Sequence, residues 1–178
     1  MSRRNALLVP FLLMLAGAGA IRAETPLATA RLVADIRPVA QPPAGSGPQW
    51  LTPAADLLYF AAADGFSGVE LWATAGAPAA PYRVADVCPG PCSSAPRYLT
   101  AAGGLLFFLA HDPAHGLELW RSDGTAAGSL RLLDLVPGPA TGSYVGTYAG
   151  FLVAAEGRVF FLARRGTRHE LWTSDGTP

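Results

Sequence analysis

Lysine is absent from this chain of 178 residues, and charged residues of all kinds make up only 15% of it. Soluble domains usually carry about 25%. The 13 basic residues, all of them arginine, balance 13 carboxylates, so the formal net charge is zero. A chain with this balance lacks the basic footprint by which proteins bind nucleic acid or anionic membranes. We therefore predict no nucleic-acid partner.

Residues that usually carry chemistry are also scarce. The chain has two cysteines and three histidines, and it contains neither a Gly-x-Ser-x-Gly nor an Asp-x-Asp-x-Asp-Gly motif. His111 and His115 lie in a loop that contains a proline, and His169 has no partner nearby in the sequence. A zinc site needs three or four ligands. We predict no catalytic residue, no cofactor-binding residue and no metal ligand set from these motifs.

The first 23 residues have the layout of a secretory signal peptide. Arg3 and Arg4 form a short basic start, residues 6–18 are apolar, and Ile21-Arg22-Ala23 offers a cleavage site. The apolar run is shorter than a typical membrane span. We predict a mature protein that begins near Glu24, has no membrane span and is exported to the periplasm or the extracellular space. Both the general secretory and the twin-arginine routes stay open.

One tripeptide, Glu-Leu-Trp, occurs three times and marks an internal repeat. The tryptophans are 48 and 52 residues apart, a spacing typical of blade-sized β units. Each copy follows an aromatic-Leu stretch and a β-rich apolar run. The positions of the recurring signature, which we interpret as structural, are Glu70, Leu71, Trp72, Glu118, Leu119, Trp120, Asp123, Gly124, Glu170, Leu171, Trp172, Asp175 and Gly176.

The apolar runs of the repeat predict short β-strands. Residues 57–61, 105–109 and 159–162 suit strands that are buried on both faces. The Glu-Leu-Trp strand comes second, and a strand with a central acid, Asp86 or Asp134, comes third. The stretch at 98–100 is a candidate fourth strand. Four antiparallel strands in about 48 residues match a propeller blade.

These elements predict an all-β, propeller-like repeat array of about three four-stranded blades that forms part of a larger propeller. The domain spans residues 24–178, with repeats at roughly 31–82, 83–130 and 131–178. The number of blades, the oligomeric state and whether the chain is a fragment of a longer array stay open at this point.

Residues 118–125 and 170–177 resemble the signature of the bacterial ELWxxDGT repeat family. The aromatic-Leu stretch and the apolar run described above accompany both segments. The resemblance covers about residues 31–178. It implies an exported β-propeller, usually with more copies, for which no biochemical activity is established. The first copy departs from the pattern at 73–76, where Ala-Thr-Ala-Gly replaces the Ser-Asp pair. The third departs at Arg164-Arg165, which replaces an acidic turn.

The repeated acids and tryptophans each allow two interpretations. The glutamates of the signature, together with Asp64, Asp112, Asp123 and Asp175, either bind Ca²⁺ through carboxylate oxygens or close turns and pair with local groups. The tryptophans either stack on sugars or fill the seams between blades. We favour the structural interpretation for both sets, because an active site needs to occur only once; calcium stays the alternative cofactor.

The two cysteines and the segment near the start of the mature chain allow two further structural predictions. Cys88 and Cys92 flank Pro-Gly-Pro, which favours a reversal, and an exported protein meets an oxidising compartment. We predict that they form a disulfide. The segment Arg31–Ile36 resembles the strand that the last unit lacks, so we expect it to complete the final blade. Unpaired terminal strands also predict self-association.

Repeated structural residues without a unique polar cluster favour a binding role over catalysis. We predict an exported binding or surface-associated scaffold, not an enzyme, whose ligand is a protein or a glycan. The alternative is a propeller-type extracellular enzyme that acts on glycans.

Overall fold

A computed structural model describes residues 36, 45–132, 134, 152–165 and 168–177 of the chain. In these residues the protein is all-β: eleven strands form three antiparallel sheets, and no helix occurs among them. Accordingly, the described part has no helix that is long and apolar enough to span a membrane. The predicted signal peptide and cleavage site, and residues 31–35 of the predicted closing strand, lie outside the described residues.

The first two sheets have the same four-stranded order. Sheet 1 consists of β1 (Gln49–Ala54), β2 (Leu57–Ala63), β3 (Val69–Thr74) and β4 (Tyr82–Ala85). Sheet 2 consists of β5 (Arg97–Ala102), β6 (Leu105–Asp112), β7 (Gly116–Ser122) and β8 (Leu130–Arg131). Each strand pairs with the next one along the chain, so every sheet is a meander of neighbouring strands.

Sheet 3 repeats the first three strands of this meander. It consists of β9 (Val153–Ala155), β10 (Arg158–Arg165) and β11 (Arg168–Ser174), with β10 in the middle. The register of β10 on β11 places Phe161 opposite Trp172, as Phe60 lies opposite Trp72 in sheet 1. Among the described residues, no fourth strand pairs with β11.

Two strand predictions differ from the structure. Asp86 and Asp134 follow the ends of β4 and β8 instead of lying inside a strand. Each carboxylate pairs with the arginine three residues before it, Arg83 at 3.3 Å and Arg131 at 3.0 Å. The predicted fourth strand at 98–100 is β5, which is the first strand of sheet 2, because its backbone pairs with β6.

The sheets pack in series through two hydrophobic seams. We call the side of each sheet that bears Leu71, Leu119 or Leu171 its leucine face, and the opposite side its tryptophan face. In the first seam, Tyr59 and Leu71 of sheet 1 form one cluster with Leu106 and Phe108 of sheet 2, and Trp120 packs against it. The leucine face of one sheet therefore meets the tryptophan face of the next.

The second seam repeats this arrangement. The leucine face of sheet 2 contributes Phe107 and Leu119, and the tryptophan face of sheet 3 contributes Val159 and Phe161, with Trp172 packed alongside. Sheet 2 is thus buried on both faces, as the apolar run of β6 predicts. The prediction for the third run is wrong: Leu162 in β10 is 41% exposed, because no described sheet covers the leucine face of sheet 3.

Candidate functional site

The first strands of sheets 1 and 2 each contain a β-bulge with an aromatic residue in the left-handed region. The pairing of β1 with β2 shifts register between Gln49 and Thr52, and that of β5 with β6 shifts between Arg97 and Thr100. Trp50 has a φ of 58° and Tyr98 a φ of 55°. The left-handed conformation costs an L-residue about 1–2 kcal/mol. The same strained conformation is therefore kept at the same place in two sheets.

A threonine hydroxyl holds each bulge and links it to the next sheet. Thr52 Oγ1 lies 2.9 Å from the carbonyl oxygen of Trp50 and 3.3 Å from that of Leu99, which belongs to sheet 2. Thr100 Oγ1 lies 3.0 Å from the carbonyl oxygen of Tyr98 and 3.3 Å from that of Leu152, next to sheet 3. In each sheet the threonine hydroxyl can donate to either of the two carbonyl oxygens. It therefore stabilises the bulge in its own strand and helps to set the distance to the first strand of the next sheet.

The two bulges bring their aromatic side chains together at the surface. The ring centroids of Trp50 and Tyr98 are 5.3 Å apart, with the planes tilted by 52°. Trp50 is 44% exposed and Tyr98 is half-buried. Aromatic rings at this distance attract each other, and each combines an apolar face with a polar edge group. The pair offers a ligand a preformed apolar platform.

A buried carboxylate lies on the tryptophan face of sheet 1. Glu70 in β3 is fully buried. Its Oε1 accepts a hydrogen bond from the Ser94 backbone N–H at 2.9 Å, and its Oε2 accepts from the Ser94 hydroxyl at 2.5 Å and from the Val87 backbone N–H at 3.2 Å. Burial raises the pKa of Glu70, and the hydrogen bonds from Ser94 and Val87 oppose that shift in part.

Glu70 bridges the two ends of a disulfide loop. The predicted disulfide between Cys88 and Cys92 is present, directly after Val87 and shortly before Ser94. Further contacts hold the loop on the start of β3: the Val69 N–H donates to Ser93 Oγ, and Gly68 approaches the carbonyl of Cys92 so closely that a Cβ would overlap it. The loop is therefore a structural clamp on β3. Glu118 occupies the same buried position in sheet 2 and also has an interaction partner.

The aspartates that the sequence offers as calcium ligands close turns. Asp64 accepts hydrogen bonds from the backbone N–H groups of Phe66 and Ser67, both at 2.8 Å. Asp112 accepts from the N–H groups of Ala114 and His115 and pairs with His115 Nδ1 at 2.9 Å. Within the described ranges, no group of three metal-binding side chains comes together.

Asp123 and Asp175 have the same role in the Asp-Gly-Thr turns. Each accepts hydrogen bonds from the backbone N–H and the hydroxyl of the threonine two residues on, Thr125 and Thr177. These bonds lower the pKa of both aspartates. In Asp64 and Asp112, burial works in the opposite direction, but the hydrogen bonds outweigh it and the pKa is lowered as well.

The glycines of these turns explain part of the repeat signature. Gly124 (φ 95°) lies against Leu57 and Tyr59 of the preceding sheet, so a side chain there would overlap them. Gly176 (φ 89°) lies in the same way against Leu105 and Phe107. The Asp-Gly turn of each following sheet thus fits onto the leucine face of the sheet before it, where the Tyr82 hydroxyl also donates to the Gly124 carbonyl at 3.0 Å.

The tryptophans of the signature lie in the packed interior and not on an open surface. Trp72 is buried with Phe60 and Ala62, and Ile36 packs against this group. Trp120 and Trp172 are half-buried at the two seams. Their indole N–H groups have no acceptor in the described part of the chain. The remaining signature position, Glu170, is half-buried in β11.

The aromatic pair is the feature that sequence reasoning missed. Trp50-Leu51-Thr52 and Tyr98-Leu99-Thr100 align without gaps, and this recurrence was the available signal. The bulge that brings the rings together leaves no such signal, because it depends on pairing with β2 and β6. No protein-family model, no curated protein and no solved structure matches the chain.

Proposed function

We propose that the chain is an exported, non-catalytic repeat protein of the ELWxxDGT kind, built as part of a β-propeller-like array, which binds a glycan through Trp50 and Tyr98. The observation that carries this proposal is the exposed aromatic pair, held at two equivalent bulges in a conformation that costs stability. Strain that recurs outside the core is a reason to look for function. The disulfide and the signal-like leader support export.

A sugar ring suits this platform chemically. Its C–H groups form an apolar face that lies flat on an indole or phenol ring, while its hydroxyls reach the polar groups at the rim. The Trp50 and Tyr98 rings are tilted by 52° and not parallel, so two neighbouring sugar units can each contact one ring. We therefore expect a chain of at least two sugars to bind better than a monosaccharide.

Binding is preferred to glycan hydrolysis because five of the described carboxylates are engaged in the fold. Hydrolysis of a glycosidic bond needs two carboxyl groups on either side of the scissile bond. Glu70 is buried against backbone N–H groups, and Asp64, Asp112, Asp123 and Asp175 each hold a turn.

A glycan array followed by isothermal titration calorimetry tests the proposal on the full chain. Trp50→Ala and Tyr98→Ala should each weaken binding of the selected oligosaccharide about tenfold or more, as truncation of an aromatic anchor does. Phe66→Ala is the matched control, since Phe66 is an exposed aromatic (70%) in a different turn. Equal affinity of Trp50→Ala, Tyr98→Ala and the control, or no glycan bound by the full chain, would contradict the proposal.

A further inference from the structure

The first strand of sheet 2 carries a charged side chain next to the aromatic pair. Arg97 begins β5, directly before Tyr98, and its side chain is exposed. The Cα atom of Arg97 is paired across the strands with that of Leu109, a buried residue of the second seam. Residues paired in this way share a face of the sheet. Arg97 therefore belongs to the leucine face of sheet 2.

The bulge brings the Tyr98 ring to this same face. In a regular strand, neighbouring side chains point to opposite faces, so Tyr98 would leave the face to which Arg97 belongs. Tyr98 instead has a φ of 55° within the register shift between Arg97 and Thr100. Its ring packs against the second seam, which includes the leucine face of sheet 2. The bulge thus places an arginine and an aromatic ring on one side of the strand.

Arg97 has no ionic partner in the part of the chain that the structure describes. Arg83, Arg131 and Arg158 each pair with an aspartate, at distances of 3.3, 3.0 and 3.7 Å. No ion pair or hydrogen bond of the Arg97 side chain occurs among the same described residues. A guanidinium group presents five N–H donors in a planar fork that matches the oxygens of an anion. The charge of Arg97 is therefore available to a ligand.

The carboxylates at this end of the sheets are held by their own turns. Asp64 follows β2 and Asp112 ends β6, at the end where β1 and β5 begin. Both accept hydrogen bonds from backbone N–H groups of their turns, and Asp112 also pairs with His115. The formal net charge of the chain is zero, so the field of the whole molecule does not attract an anion. Any preference for an anion must come from Arg97 locally.

We propose that the ligand of the aromatic pair is an acidic glycan, whose carboxylate or sulfate ester binds Arg97 while its sugar ring stacks on Tyr98. This inference rests on the proposed function and names the class of glycan. Gln49 is the equivalent of Arg97 beside Trp50, and it is exposed and uncharged. Its amide can donate to or accept from sugar hydroxyls. The two halves of the site therefore differ in charge, and the acidic sugar lies on the Tyr98 half.

A glycan array that holds uronate-containing, sulfated and neutral oligosaccharides tests the proposal on the full chain. Galacturonate oligosaccharides are compared with their methyl esters, and carrageenan oligosaccharides with their desulfated forms, so that each pair differs only in charge. In titration calorimetry the charged member of at least one pair should bind about three- to fivefold more tightly, as an exposed ion pair allows. The difference should shrink at high salt, because ions screen exposed charges. The pair that shows it identifies the anion.

Three variants locate the preference. Arg97→Gln should remove the preference for the charged form and leave the affinity for the uncharged form within about twofold. Arg97→Lys keeps the positive charge and should retain part of the preference, although it loses the planar fork. Arg168→Gln is the matched control, because Arg168 is likewise exposed at the start of a strand but belongs to β11 of sheet 3.

The outcomes separate this inference from the proposed function. Equal affinity for the charged and uncharged forms, with both weakened in Trp50→Ala, would overturn the acidic class and leave the glycan site in place. A preference that survives Arg97→Gln, or that disappears equally in Arg168→Gln, would overturn the role of Arg97. Failure to bind any glycan would instead contradict the proposed function itself.

Discussion

At the scale of single residues, Glu70 joins two parts of the described fold through one side chain. It is a carboxylate with no exposed surface, and its three hydrogen bonds come from groups on both sides of the disulfide loop. A buried acceptor that loses its partners, or buried N–H groups that lose their acceptor, cost about 1–3 kcal/mol each. Glu70→Ala should therefore lower the free energy of unfolding by about 3 kcal/mol.

The pKa of Glu70 sets a direction for the pH dependence of stability. Because burial raises the pKa in the folded state, the folded protein holds its proton more tightly than the unfolded chain does. The stability that this provides is complete below the unfolded pKa of about 4.3 and is lost as pH rises through the folded pKa. Between those limits the wild type should lose stability relative to Glu70→Gln, as measured by urea unfolding at several pH values.

A surface carboxylate provides the control for this experiment. Glu156→Gln removes the same charge from an exposed turn, so its stability difference from the wild type should not follow the Glu70→Gln curve. The lowered pKa values of Asp64, Asp112, Asp123 and Asp175 act in the opposite sense, since their stabilisation is lost as pH falls below about 4. A Glu70→Gln difference that stays flat above pH 4.5 would count against the assignment.

The sequence predicted that Glu70 is structural but not how it acts. Strand alternation places Glu70 and Trp72 on one face, and recurrence in three copies favours a role in the fold. Its partner Ser94, however, is 24 residues away across the disulfide loop. Nothing in the local pattern reports such a contact, because it depends on how the connection between β4 and β5 folds back over β3.

At the scale of elements, the turns between the first two strands of each sheet contain a residue with positive φ. Ala55 (φ 48°), Gly103 (φ 57°) and Glu156 (φ 50°) are equivalent, and only one of them is glycine. Glycine adopts this conformation without the strain of about 1–2 kcal/mol that other L-residues meet, although it loses more backbone entropy on folding. The three sheets therefore provide a comparison of side chains at one turn.

Exchanging these side chains should have opposite effects in two sheets. Ala55→Gly should raise the free energy of unfolding by about 0.5 kcal/mol. This is the backbone strain that glycine relieves minus the additional backbone entropy that glycine loses on folding. Gly103→Ala should lower it by about 2 kcal/mol, since it adds strain and its Cβ would lie 2.6 Å from the Gly157 carbonyl oxygen. Guanidinium unfolding measures both. Glu156→Gly serves as a second test of the relieved strain; destabilisation by both glycine substitutions would refute the argument.

Strands were easier to predict than their ends. The apolar runs 57–61, 105–109 and 159–162 all fall within the second strands, because an apolar run bounded by turn residues is a strong strand signal. The end of β4 was misplaced since the backbone N–H of Val87 is used by Glu70 and not by a ladder. Side-chain competition for backbone groups of this kind is invisible in a hydropathy pattern.

At the scale of the whole molecule, burial differs between the middle sheet and the last one. In β6 both Phe107 and Phe108 are fully buried, whereas in β10 only Phe161 is, and Phe160 lies on the open leucine face. Phe161→Ala should cost about 3–5 kcal/mol, but Phe160→Ala only about 1 kcal/mol. The measurement is thermal unfolding at a protein concentration too low for self-association.

Phe107 and Phe108, the corresponding pair in β6 of sheet 2, provide the control for this comparison. Phe107→Ala and Phe108→Ala should both be severe, because sheets cover both of their faces. If Phe160→Ala proves as destabilising as Phe161→Ala under the same conditions, the leucine face of sheet 3 is covered in solution within the single chain.

The repeat made the architecture predictable at this scale, but not the environment of each copy. Equivalent residues such as Leu71, Leu119 and Leu171 have the same place in the sequence unit, and the first two are fully buried while the third is exposed. A neighbouring sheet makes that difference. Closure into a propeller stays a prediction, as it depends on more than the three sheets described.

The alternation of unlike faces along the three sheets also bears on how such a chain can change in length. Each internal seam joins a leucine face to a tryptophan face, and every complete unit carries one of each. Duplication of one unit within the gene would therefore insert a sheet whose two faces already match its new neighbours, without compensating substitutions elsewhere. A coding sequence built in this way can gain or lose copies by unequal recombination while the protein it encodes still folds.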